Sequence, residues 1–154
     1  MAILTISRAY GSGGKAVGQG VARVLGYDYV DRERILEHMR AVGEKWEDQA
    51  QHFDENYPSA YERFDWSFRG YVALNQCYFL DYASRDNVVI MGRGGNFLLK
   101  GVPFALRIRI QAPLEMRVER IMALLEMNRE SARYLVEKAD KEMAGSVYLI
   151  YGRQ

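Results

Sequence analysis

The sequence predicts an α/β fold, a mostly parallel sheet flanked by helices, and three observations carry that expectation. Short apolar runs rich in β-branched residues occur at Ala2 to Ile6 and Val88 to Met91, as strands buried on both faces require. Segments with apolar residues at helical spacing stand between the strand-like runs. The connections are short, which favours layers of helix packed on sheet.

Each element has its own signal. Ala2 to Ile6 reads as the first strand, and a glycine loop leads into a helix from Ala16 to Leu25, where Val17, Val21, Val24 and Leu25 recur and Gly26 supplies the stop. Tyr27 to Val30 is a second strand ending at Asp31, followed by a helix over Arg32 to Val42 with Ile35, Leu36, Met39 and Val42 on one side. Between Glu44 and Asp65 seven acids face only Lys45 and Arg63, with Trp46, Phe53, Tyr57, Tyr61 and Phe64 among them; this predicts a mobile helical lobe at about 43–65 laid over the sheet. Trp66 to Tyr82 predicts a helix buried round most of its circumference. Val88 to Met91 runs into a second glycine-rich turn. From Phe104 to Ala112 the chain alternates, Leu106, Ile108 and Ile110 to one face and Arg107, Arg109 and Gln111 to a wet face or guarded edge. Leu114 to Leu125 and Glu130 to Met143 predict two further helices separated at Asn128.

Composition limits the function classes. The chain has 154 residues, 49% apolar and 27% charged, which suits one domain with its own core. A formal net charge of +1 gives no global attraction to nucleic acid or to an anionic membrane, so any anion site must be local. Cys77 stands alone, which excludes a disulfide framework or cysteine zinc site and suits the cytoplasm. His38 and His52 match no metal spacing, and G-x-S-x-G, the signature of a serine hydrolase elbow, does not occur.

The chemistry gathers in "SRAYGSGGKAVG", residues 7 to 18. A loop behind the first parallel strand presents backbone N–H groups at a helix N-terminus, where the dipole favours anions. Glycines let the backbone curl round phosphate oxygens, and Lys15 adds a mobile cation. Against G-x-x-x-x-G-K-[ST], Gly14 and Lys15 match, while Ala9 and Ala16 stand at the first glycine and the metal-binding hydroxyl. Two other readings compete with a phosphate cradle. One is a plain structural turn; the other is a dinucleotide site, since Gly11-x-Gly13-x-x-Ala16 fits the relaxed fingerprint and Asp31 lies about twenty residues on.

Taken in order, "TISRAYGSGG", "YDYVDRERILE", "VVIMGRGGNFLL", "LRIRIQAPLEMRVERI" and "SARYLVEKADKEMA" resemble the cytidylate kinase-like family, relatives of P-loop nucleoside monophosphate kinases, over nearly the whole chain. The resemblance implies a three-layer P-loop fold, a single domain over 1–154 with a lid at about 117–145, and transfer of the γ-phosphoryl group of ATP to a nucleoside monophosphate such as CMP, with Mg²⁺. Gly11, Ser12, Gly13 and Gly14 would cradle the β-phosphate, and Lys15 would span the β- and γ-phosphates. Asp31 falls near the acceptor nucleotide and Arg93 on its phosphate. Arg117, Arg120, Arg133 and Lys141 fall among the cations of the closing lid, with Lys15, Arg93 and Arg133 expected at the transferred group. There are departures too. Ala16 leaves Ser12 or water to meet the metal, Gly94 stands where nearer relatives have an aspartate, and Met143 stands where a lid arginine is expected. The family's last strand and helix would follow "YLIYGRQ" and are expected to be absent. The competing class is a regulatory module that holds a nucleotide or phosphate without turnover.

Overall fold

The computed structural model of the protein describes residues 2–55 and 65–152. Its elements, in order, are β1 (Ile3–Arg8), α1 (Gly14–Leu25), β2 (Asp28–Val30), α2 (Arg32–Val42), α3 (Glu44–Glu55), α4 (Trp66–Ser84), β3 (Val88–Met91), α5 (Gly95–Leu98), β4 (Ala105–Ile110), α6 (Leu114–Leu125) and α7 (Arg129–Tyr151). Four strands form one parallel sheet in the order β2-β3-β1-β4.

The sheet's period of two divides its core between layers. Ile3, Val88 and Ile90 pack with Ile35, Met39, Phe68 and Phe79 on one face. Leu4, Ile6, Val89 and Met91 meet Ala22 of α1 on the other. A third cluster, Val118, Ile121, Ala132 and Val136, joins α6 to α7 and takes in Tyr10 from the glycine loop.

Strand order also bears on the dinucleotide reading. Folds of that kind set the second strand beside the first, whereas here β3 lies between β1 and β2, with Leu4 against Val89 and Tyr29 against Val89 from the other side. Topology therefore contradicts a dinucleotide-binding domain and agrees with the P-loop alternative.

Several boundaries moved. β1 continues past Ile6 because Ser7 and Arg8 stay in register with Arg109 and Ile110. The turn after β3 forms a short helix, α5, and α7 runs on past Met143 to Tyr151. α4 buries one stripe, Phe68, Tyr71, Asn75, Phe79 and Tyr82, and leaves Trp66 81% exposed, so the expectation of burial round most of the circumference is corrected. β4 is the sheet edge on its side, which leaves Leu106 exposed despite its alternation.

In the expected lobe, α3 packs on α2 and α4, with Ala50 buried and the Trp46 ring over Gly70, where a Cβ would come within 2.5 Å of it. The side chains of Phe53, Tyr57, Tyr61 and Phe64 lie outside what is described. Among the described residues no helix is long and apolar enough to cross a membrane.

Candidate active site

The parallel sheet aims the carboxyl ends of β1 and β3 at the same edge of the molecule. At the end of β1, Ala9 N–H donates to the Ile110 carbonyl at 3.0 Å and Ser12 N–H returns to the Ala9 carbonyl at 3.2 Å, so a tight turn precedes α1. Gly11 and Gly13 hold φ of 76° and 81°, the left-handed region where glycine is at home. The first bond into α1 is Val17 N–H to the Gly13 carbonyl at 3.2 Å, and Gly13 caps the helix with no side-chain acceptor. Among the described residues no backbone carbonyl takes the amides of Gly11, Gly13, Gly14, Lys15 or Ala16. The Ser12 hydroxyl is buried without a partner in this loop. A row of unmatched donors at a helix N-terminus fits a phosphate group.

Magnesium finds less. Among the described residues no group of three or more histidine, cysteine or acidic side chains is placed to hold a metal. The Ala16 side chain has no oxygen to offer, which leaves the Ser12 hydroxyl for an ion that keeps water and phosphate oxygens as its main ligands.

Two arginines from α6 brace the loop. Arg120 Nη1 donates to the Gly11 carbonyl at 2.6 Å and lies 3.2 Å from where a Gly13 Cβ would sit. Arg117, 9% exposed, donates to the Ala112 carbonyl at 3.1 Å, to the Tyr10 carbonyl at 3.2 Å and to Asp140 at 2.8 and 3.0 Å. One guanidinium thus ties the glycine loop, the turn after β4 and α7 together.

Lys15 reaches sideways. Its Nζ donates to both oxygens of Glu33 at 2.9 and 2.7 Å and stands 3.6 Å from Asp31 Oδ2. The hydrogen bond with Glu33 raises the lysine pKa and lowers that of the glutamate. Asp31 caps α2, accepting from Arg34 N–H at 3.3 Å.

Beside the loop opens a cleft of about 1100 Å³ between the strand ends, α4 and the last three turns of α7. Arg8, Lys15, Arg32, Arg93, Arg109 and Arg117 contribute positive charge to it and Asp31, Glu33, Asp140 and Glu142 negative charge, with Tyr29, Phe68, Tyr71 and Phe97 among its aromatic surface. Arg93, at φ 53°, donates to the Tyr71 hydroxyl at 2.8 Å. Two polar atoms on the lining are buried and unpartnered, the Tyr29 hydroxyl and Asn75 Oδ1, whose own Nδ2 is spent on the Tyr71 carbonyl at 3.1 Å. Burial, with Asp31 adding to it, pushes the Tyr29 phenol up to about 12. Gly94 faces the Tyr151 ring, which stacks on Phe97 at 5.5 Å, so an aspartate at position 94 would have to displace it.

The structure therefore gathers Lys15, Asp31, Arg93 and Arg117 on one cleft, with Gly11 to Gly14 in the loop between the lining residues Tyr10 and Lys15, and Arg120 of α6 bonded to that loop at Gly11. It does not bring Arg133 there; that side chain pairs with Glu115 and, at 3.7 Å, with Glu137. Lys141 is exposed on α7 while its neighbours Asp140 and Glu142 line the cleft. Sequence reasoning missed Arg8, Glu33, Tyr71, Asn75 and Tyr151. Arg8 carried a signal, a charge at the carboxyl end of a central parallel strand, where ligands of such sheets bind; the residues of α4 and α7 carried none.

The sequence matches the cytidylate kinase-like family over residues 3–154. No curated protein matches the chain. Among solved structures it is similar to an uncharacterized protein from Eubacterium ventriosum ATCC 27560, with 17% identity and a TM-score of 0.71 over 94% of this chain and 74% of that one. It is also similar to shikimate kinase from Bacteroides thetaiotaomicron, at 15% identity and a TM-score of 0.59 over 96% and 82% of the two chains. A gluconokinase from Sinorhizobium meliloti 1021 gives 15% and 0.52 over 98% and 94%. At such identities the likeness shows a shared fold.

Proposed function

Given that the chain belongs to the cytidylate kinase-like family, we propose that it is a phosphotransferase moving the γ-phosphoryl group of ATP to a nucleoside monophosphate of the CMP kind. The observation that carries this reading is the row of unmatched amides from Gly13 to Ala16 opening beside a cleft rich in arginine. ATP would bring the phosphoryl group and Mg²⁺ would offset charge on its oxygens. The chain's own part is positioning and electrostatics, which dominate this chemistry. Gly11 to Gly14 hold the β-phosphate, and Lys15 swings from Glu33 to the β- and γ-phosphates. Arg93 binds the acceptor's phosphate, its planar fork suited to paired oxygens. Asp31 faces the acceptor's sugar or base. Arg117 and Arg120, at the start of a lid at about 117–145, tie that lid to the loop, and its closure would carry Arg133 and Lys141 inward. Small-molecule partners and a cytoplasmic location go with this reading.

A regulatory module that binds nucleotide without turnover is the second reading, favoured by the hold of Glu33 and Asp31 on Lys15 and by Ala16. A coupled assay of ADP release separates the two, run with each nucleoside monophosphate and with shikimate and gluconate, the acceptors of structural neighbours' reactions. The expected result is turnover with a pyrimidine monophosphate, reduced about a hundred-fold or more in Lys15→Ala. ATP binding with no turnover for any acceptor would favour the module instead.

A further inference from the structure

Arg8 has the most unusual setting of any cation at the cleft. A Cβ on Gly14 would fall 2.7 and 2.9 Å from its Cβ and Cγ, and one on Gly92 would meet Nη1 and lie 3.2 Å from Cζ. Gly14 has ordinary helical φ, so its backbone does not demand glycine. The room required by the arginine stem does. Two missing side chains thus form a slot that leads the Arg8 guanidinium to the mouth of the cleft beneath the turn after β3.

What the guanidinium finds there is incomplete. Among the described residues it has no carboxylate within ion-pair distance and no hydrogen-bond acceptor, although it is half-buried. Asp31, the nearest acid in its field, is engaged with Arg34 N–H and stands beside Lys15. The Tyr29 phenol and Arg93, a like charge, also act on it; burial first and Arg93 second hold the Arg8 pKa below the usual arginine value. A desolvated cation left unpaired is costly, and an anion bound by Arg8 would offset both its burial and the repulsion from Arg93. Their forks match phosphate oxygens.

We propose that Arg8, with Arg93, binds the phosphate of the acceptor where the ends of β1 and β3 converge, making it a substrate-binding residue of the cleft rather than a structural one. This rests on the kinase reading only in assigning the phosphate to an acceptor. The site itself needs only the geometry.

The test titrates inorganic phosphate by thermal shift into wild type, Arg8→Met, Arg8→Lys and Lys15→Ala, followed by acceptor kinetics. Methionine keeps the stem volume and removes the unpaired charge. Arg8→Met is expected to melt at or above the wild-type temperature without ligand and to bind phosphate at least ten-fold more weakly, with Arg8→Lys intermediate and any loss in Lys15→Ala smaller than in Arg8→Met. With an accepted nucleotide, the KM for that acceptor should rise at least ten-fold and the KM for ATP change less than three-fold. Phosphate binding within two-fold of wild type in Arg8→Met, or loss confined to Lys15→Ala, would overturn the proposal. Arg8-dependent phosphate binding in a protein that turns over no acceptor would uphold the site and remove the kinase reading. Turnover with an unchanged acceptor KM in Arg8→Met would do the reverse.

Discussion

Glu33→Gln should tighten ATP binding. Both Glu33 oxygens hold Lys15 Nζ, at 2.9 and 2.7 Å, and this ammonium is the one expected to reach the β- and γ-phosphates. Every phosphate bound through Lys15 must therefore compete with the glutamate. The side chains are 54% and 67% exposed, so solvent screens the pair and its net worth is about 0.2–1 kcal/mol. Removing that competitor converts to about a 1.4- to 5-fold lower Kd for ATP, since a tenfold change is about 1.4 kcal/mol. Asp31, 3.6 Å away, remains and keeps the effect at the lower end. The depressed Glu33 pKa stabilises the fold above the unfolded glutamate value and is lost as pH falls through the folded value. The raised Lys15 pKa acts below the unfolded lysine value and is lost as pH rises through the folded one. The pair is intact between those limits, so the gain in affinity should be constant from about pH 6 to 9. Isothermal titration of ATP into both proteins measures it. An unchanged or weaker affinity in Glu33→Gln would refute the idea that Lys15 leaves this carboxylate to bind phosphate.

Gly14→Ala should lose about 1–3 kcal/mol, because its Cβ overlaps the Arg8 stem, while Gly20→Ala in the same helix, with no atom within 4 Å of the added carbon, should gain about 0.5–1 kcal/mol. Urea denaturation of the two variants gives the comparison, and equal effects would contradict the packing described. Arg117→Met removes a nearly buried donor from Tyr10, Ala112 and Asp140 and should cost about 2–4 kcal/mol, or a melting temperature lower by roughly 5–15 °C. A change below about 2 °C would mean that this brace contributes little.

Much of the scaffold was legible along the chain. The helix over Arg32–Val42, the strand over Val88–Met91 and the helix over Leu114–Leu125 fall where the spacing of apolar residues puts them. α5 was not, because four residues opened by glycines contain too little periodicity to separate helix from turn. α7 outran its expected end because Ala144, Val147 and Ile150 line the cleft instead of completing a continuous apolar stripe.

The sequence by itself determined the order of strands and helices and placed a glycine-rich, lysine-bearing loop at the head of a helix, since these depend on neighbours within a few positions. Only the tertiary structure decided that β3 lies between β1 and β2, which separates a P-loop arrangement from a dinucleotide fold. It alone set Arg8 beside Arg93, Lys15 on Glu33 and Tyr151 over Gly94. Those contacts join residues 18 to more than fifty positions apart, and their distances follow from how whole layers pack, which no local pattern of residue types records.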